Sequence, residues 1–96
     1  MVKRGKIGQA KHDNKVRKEL EKLKDDGYRV RADLPNRARP PKVGGVIPDI
    51  YARKGKKLIV EEIETKATLK SDRKQQEKMR EGTKKLGGIF KIKLAK

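Results

Sequence analysis

The chain contains no cysteine and no tryptophan, a single histidine, and only Tyr28, Tyr51 and Phe90 as large aromatic residues. Without cysteine there is no disulfide, no thiolate zinc site and no thiol nucleophile. With His12 alone, a histidine-rich metal site is excluded as well. Any metal must sit on carboxylates, which favours hard ions such as Mg²⁺ or Mn²⁺. Three aromatics are too few for a base-stacking platform, so recognition through splayed single-stranded bases is not expected. No apolar run approaches the roughly 18 residues that a membrane span requires. Neither a signal peptide nor a basic amphipathic helix with aromatic anchors is visible, so no membrane partner is expected.

Positive charge is what the chain has in abundance. It carries 29 Lys plus Arg against 13 Asp plus Glu, a formal net charge of +16 over 96 residues. Such a field attracts polyanions and repels copies of itself. Nucleic acid is the polyanion to expect, through counterion release at the phosphates, and the expected location is cytoplasmic, at the nucleoid. Hydrophobic residues make up 32% and are grouped into short periodic runs. This length suits one domain with a modest core that dimerisation would enlarge.

Along the chain, residues 1–10 read as a flexible basic arm and 11–96 as a single domain. Val16, Leu20 and Leu23 share one face of a helix over 11–26, with Asp13 or Asn14 to cap its start and Gly27 to end it in the left-handed conformation. His12, next to that arm, reads as a surface residue, with a base or a DNA contact as the alternative. Tyr28 to Asp33 alternates as a half-buried strand with a basic outer face. Residues 34–45 hold three of the four prolines and no acid, a long loop whose Arg37, Arg39 and Lys42 are placed to meet phosphates. Val46 to Ala52 reads as a second strand, with Pro48 marking a bulge or an edge. After a tight turn at 54–56, Leu58 to Lys66 is a third. Ser71 caps a helix over 72–86, and Lys70, Arg73 and Lys74 at its start are further phosphate candidates. Gly87-Gly88 breaks it before a last strand, Ile89 to Leu94. The expected fold is α/β in the order α-β-β-β-α-β, a central mixed sheet flanked by helices.

The segment 47–66 puts acids into apolar surroundings. Side chains alternate along a strand, so Val60, Glu62, Glu64 and Lys66 share one face of the third strand, while Asp49 stands across the hairpin. Carboxylates with a lysine beside them suit a hard metal ion, which lowers the pKa of a bound water and stabilises charge on a phosphoryl transition state. The alternative is that Glu61, Glu62 and Glu64 line solvated faces and pair with lysines. Against it, glutamates are poor strand formers, and the same-face pair Glu62 and Glu64 repel unless a cation lies between them.

Ile47-Pro48-Asp49-Ile50, a lysine-rich turn, then Ile59-Val60-Glu61-Glu62-Ile63-Glu64-Thr65-Lys66 resembles the PD-(D/E)xK nuclease superfamily. Glu19-Leu20, Leu23 and Gly27-Tyr28-Arg29-Val30-Arg31 look like the start of archaeal Holliday-junction resolvases. The resemblance spans about residues 12–94 and implies a restriction-endonuclease-like core that hydrolyses phosphodiesters of duplex or branched DNA with Mg²⁺ or Mn²⁺. It makes Asp49 a metal ligand, with Glu62 and Glu64. Two placements of the second motif are open. Glu64-Thr65-Lys66 fits the literal pattern, with Lys66 as catalytic lysine, and is slightly favoured. Glu62-Ile63-Glu64 fits the usual apolar middle residue, with Glu64 where lysine usually stands. Glu19 is the helix-one acid that resolvase-like members often use. Gln75 and Gln76 resemble a glutamine of some relatives, although Arg80 stands where their aromatic partner would. Resolvase-like members are dimers that cut two strands, which makes a homodimer an expectation here too. A basic nucleic-acid-binding protein without catalysis is the alternative function.

Overall fold

The computed structural model describes residues 6–95, with side chains from Gln9 onward. The elements are α1 (Lys6–Asp25), β1 (Arg29–Ala32), β2 (Ile50–Lys54), β3 (Lys57–Glu64), α2 (Lys66–Leu69), α3 (Arg73–Lys85) and β4 (Ile89–Leu94). The four strands lie side by side in chain order. β1, β2 and β3 form an antiparallel meander, and β4 joins β3 in parallel after the helical crossover. The chain is therefore α/β with a four-stranded mixed sheet flanked by helices, and it has one short helix, α2, beyond the expected order. Helix α1 starts at Lys6, so the expected arm gives way to helix from that residue; residues 1–5 of the arm lie outside the described residues. No helix among the described residues is long and apolar enough to cross a membrane.

The α1 stripe does what its spacing implies. Val16, Leu20 and Leu23 are buried against Ile50, Ala52, Ile59 and Ile63. Each such aliphatic side chain stabilises the fold by about 1.5–3 kcal/mol. Gly27, at φ 91°, turns the chain out of the helix. Its N–H donates to Lys24 O at 2.9 Å and that of Tyr28 to Leu23 O at 3.0 Å, which satisfies carbonyls the helix leaves open. Asp13 and Asn14 lie inside the helix rather than at its cap.

The opposite face of the sheet carries Val43, Leu58 and Val60, packed with Tyr51 and Phe90. Helix α3 lies on that side, with Arg80 over the Phe90 ring and Met79 fully buried. Strand β3 is thus covered on both faces, and every residue from Leu58 to Glu64 is buried.

Two boundaries differ from expectation in ways that shape the site. Strand β2 begins at Ile50, not Val46. Val46 turns back to Val43 through paired backbone bonds of 2.7 and 3.2 Å, and Pro48 has no N–H to give a ladder. Strand β3 ends at Glu64, because Thr65 becomes the N-cap of α2. Ser71 does not cap α3, whose N-cap is Asp72; its hydroxyl donates to the carbonyls of Ala67 and Thr68 instead.

Candidate functional site

The glutamates of β3 do not lie on a solvated face. Glu61, Glu62 and Glu64 are 3%, 4% and 0% exposed. Alternation sends them to different sides of the sheet. Ile59 and Ile63 face α1, so Glu61 faces α1 too. Leu58 and Val60 face the α3 side, so Glu62 and Glu64 do as well.

Asp49 sits one residue ahead of β2, where the ladder would place it opposite Glu62. Its carboxylate takes over from the backbone there: Oδ2 accepts the Ile63 N–H at 2.8 Å. Asp49 Oδ1 lies 3.1 Å from His12 Nε2, and His12 Nδ1 lies 3.1 Å from Asp13 Oδ1. His12 is 3% exposed. The expectation of a surface histidine is thus overturned: α1 starts early enough to carry the ring under the entry to β2.

Asp49 and Glu62 are shifted in opposite directions. Burial, the largest single influence, raises Asp49, but hydrogen bonds from His12 and Glu62, the His12 charge and the Ile63 N–H together hold it below the usual carboxylate range. Glu62 is pushed up to about 11 by burial, by its hydrogen bond to Asp49 and by repulsion from Asp49, Glu64 and Asp72. Glu62 therefore donates and Asp49 accepts. Gln75 Nε2, from the first turn of α3, reaches Glu62 Oε2 at 3.5 Å, the long end of a hydrogen bond.

Glu64 is the neighbour along the strand. Burial raises it, Thr68 and Gln76 draw it back as nearby donors, and Asp72 and Asp49 repel its charge; the net direction is up. Yet the Thr68 hydroxyl is turned to Thr65, and the Gln76 amide donates to Leu69 O at 3.0 Å. Both Glu64 oxygens are left buried without a hydrogen-bond partner. A polar group so placed is costly unless something else satisfies it.

The other expected site residues fall elsewhere. Lys66 is exposed at the first residue of α2, so strand alternation does not carry it onto the Glu62–Glu64 face. Of the two motif placements, the geometry sets Glu62-Ile63-Glu64 beside Asp49. Glu19 is buried on α1 but pairs with Lys93 Nζ at 3.7 Å, and its charge acts on Glu61. Glu61 is raised by burial and then by Glu19, against Lys93, Lys91 and Lys22, and its Oε1 is buried without a partner. Glu19 thus joins a second acid pair on the α1 side rather than the Asp49 group.

Arg37, Arg39, Lys42, Lys70, Arg73 and Lys74 are all exposed. Among the described residues, Lys93–Glu19 is the single ion pair that any lysine or arginine makes with a carboxylate. Lys74 also lines a groove of about 260 Å³ with Val46, Ser71, Asp72, Gln75 and Lys78. That groove opens beside the Gln75–Glu62 contact.

Among the described residues, no three His, Cys, Asp or Glu side chains converge as a ready-made metal site. The donor chemistry nevertheless fits a hard divalent cation: two carboxyls in contact, and a third buried with both oxygens unsatisfied. Asp72 is the member of this group that sequence reasoning missed, and His12 entered it only as the less favoured alternative to a surface residue. Asp72 had a signal, standing just ahead of a helix with acids upstream. No protein-family model matches the chain, and neither a curated protein nor a solved structure matches it.

Proposed function

We propose that this chain is a metal-dependent DNA endonuclease of the PD-(D/E)xK kind, with a restriction-endonuclease-like core and a preference for junction or branched DNA. The observation that carries the reading is Asp49 at the entry to β2, held against Glu62 of β3, which Gln75 contacts from a groove that Lys74 and Lys78 line. In a protein of net charge +16, the phosphodiester is the substrate such a site would meet.

Asp49, Glu62 and Glu64 would hold Mg²⁺ or Mn²⁺. Such an ion, when bound, supplies a water of lowered pKa and positive charge for the phosphoryl oxygens. The chain's own residues supply the rest. Ile63 N–H and His12 fix the Asp49 carboxylate in direction, and Gln75 steers Glu62. Lys74 and Lys78 neutralise phosphate charge in the groove. Lys66, exposed at the start of α2, is assigned to a phosphate rather than to the attacking water. Two copies would act on two strands, inside the cell at the nucleoid.

A second reading, a basic nucleic-acid-binding protein without catalysis, rests on the exposed cations, which serve it equally. The buried acids favour the first, since a phosphate binder gains nothing from burying Asp49, Glu62 and Glu64 on one side of its sheet.

The test is cleavage of labelled duplex, four-way junction and single-stranded DNA in Mg²⁺, Mn²⁺ or EDTA, for the parent protein and Asp49→Ala. Metal-dependent cutting that the variant loses, with DNA affinity nearly unchanged, is expected. Tight binding with no cutting on any substrate would replace the nuclease with the binding protein.

A further inference from the structure

Helix α3 carries Lys74, Lys78 and Lys85 at i, i+4 and i+11, on one face of the helix. All three are exposed. Two grooves run along that face. The first, beside Glu62, includes Lys74 and Lys78; the second, about 500 Å³, includes Lys78 again with Lys42, Glu81 and Lys85. Lys78 lines both, so the lysine row joins the two grooves into one surface channel that passes over the close contact between α3 and the turn at 43–46.

The wall opposite α3 is built, not draped. A Cβ on Gly44 would strike the Lys78 carbonyl, and one on Gly82 would strike the Gly44 backbone. Only glycine at both positions lets turn and helix pack this closely, and the packing sets Lys42 across from the α3 lysines.

The channel also has a direction. At one end Asp72 and Gln75 lead to Glu62, through the 3.5 Å contact and through the repulsion that Asp72 exerts on Glu62 and Glu64. At the other end lie Lys85 and the half-exposed Leu86. From Lys74 to Lys85 the helix rises roughly 16 Å. Four lysines stand against Asp72 and Glu81, and the one large apolar side chain at the end is too little for the core of a protein interface.

We propose that this channel is the track of one DNA strand, whose backbone runs along Lys85, Lys78, Lys42 and Lys74 and delivers a phosphodiester to the Asp49–Glu62 end. The proposal rests on the nuclease reading for what happens at that end, but not for the track itself. It assigns Lys78 and Lys85 a role in substrate binding and separates the channel from the rest of the basic surface.

The experiment measures duplex affinity of the full chain in EDTA, by anisotropy, between about 50 and 200 mM salt, where phosphate contacts report as the slope of log K on log salt. Two charge-matched variants are compared: Lys42, Lys74, Lys78 and Lys85 all to Ala, and Lys18, Lys24, Lys56 and Lys57 all to Ala. Each phosphate-contacting lysine is worth about 0.9 in slope, so the channel variant should lose about three to four and the control less than one. Equal losses in the two variants overturn the track. Cleavage assays on the parent and Asp49→Ala separate the outcomes. Cutting that depends on Asp49, with equal slopes, keeps the nuclease and discards the track. No cutting, with the slope loss confined to the channel, keeps the track and discards the nuclease.

Discussion

Asp49 and Glu62 occupy neighbouring positions and are both raised by burial, but the hydrogen bonds and charge around Asp49 reverse its shift while those around Glu62 add to it, and this sets how the fold depends on pH. Asp49 is held below its ordinary value of 3.8, so its contribution is present above that value and is lost as pH falls through the folded one. Glu62 is raised from 4.5 to about 11, so its contribution is complete below about pH 4.5 and is lost as pH rises toward 11. Glu61 and Glu64 move in the same direction as Glu62. Between about pH 5 and pH 9 the raised glutamates dominate, and the Tm of the EDTA-treated protein should fall steadily. Glu62→Gln, which cannot ionise, should flatten that decline and leave the variant the more stable of the two at the alkaline end. A parent protein with a flat profile would show that the buried proton is not there. His12 acts on the same carboxylate from the other side. Removing a group that orients a ligating carboxylate costs about 10–100-fold in metal affinity or activity. On the proposed nuclease reading, His12→Ala should therefore lower the cleavage rate by about that factor with duplex affinity in EDTA unchanged. A loss of affinity instead would make His12 a DNA contact.

At the scale of elements, α3 is where local preference and tertiary packing conflict. Glycine inside a helix costs about 1 kcal/mol relative to alanine, yet Gly82 sits in α3 with the Gly44 backbone against it. Gly82→Ala should lower stability, by about 1–3 kcal/mol for overpacking, where a free helix would gain; a denaturant melt against Glu81→Ala, exposed one residue earlier, checks the sign. That contact was not legible in the sequence, because nothing in residues 43–46 announces which helix they will meet. The strands were legible. Alternation places Glu61 apart from Glu62 and Glu64, as observed. It does not say that both faces would be covered, which is why their burial had to be argued from repulsion alone. The start of α2 was hidden for a local reason: Thr65 reads as a good strand residue, but Thr68 Oγ1 accepts its N–H at 2.9 Å and ends the strand. With it went the parity that would have placed Lys66 beside Glu64. His12 was misjudged because its burial depends on β2 entering through Asp49, which lies far from it along the chain.

For the molecule as a whole, the balance is between self-repulsion and the polyanion binding proposed for it. A net charge of +16, with one lysine–carboxylate pair among the described residues, leaves the folded chain crowded with like charge. Salt screens that repulsion over a Debye length of about 10 Å at 0.1 M, so the Tm of the free protein should rise with added NaCl. Salt acts in the opposite sense on a complex with DNA, because counterion release weakens as the bulk concentration grows. A ligand that binds only the native state stabilises it by about 2.7 kcal/mol at a hundred times its Kd. For a domain of this size each kcal/mol raises Tm by about 4–8 °C. At low salt, a saturating short duplex in EDTA should thus raise Tm by roughly 10–20 °C. As salt increases, the free curve climbs and the bound curve descends until the two meet. Thermal melts across a salt series, with and without duplex, test both halves at once. A bound Tm that stayed above the free one at every salt concentration would mean that something other than phosphate charge holds the DNA. A free Tm that ignored salt would mean that the exposed lysines are spaced widely enough not to strain the fold.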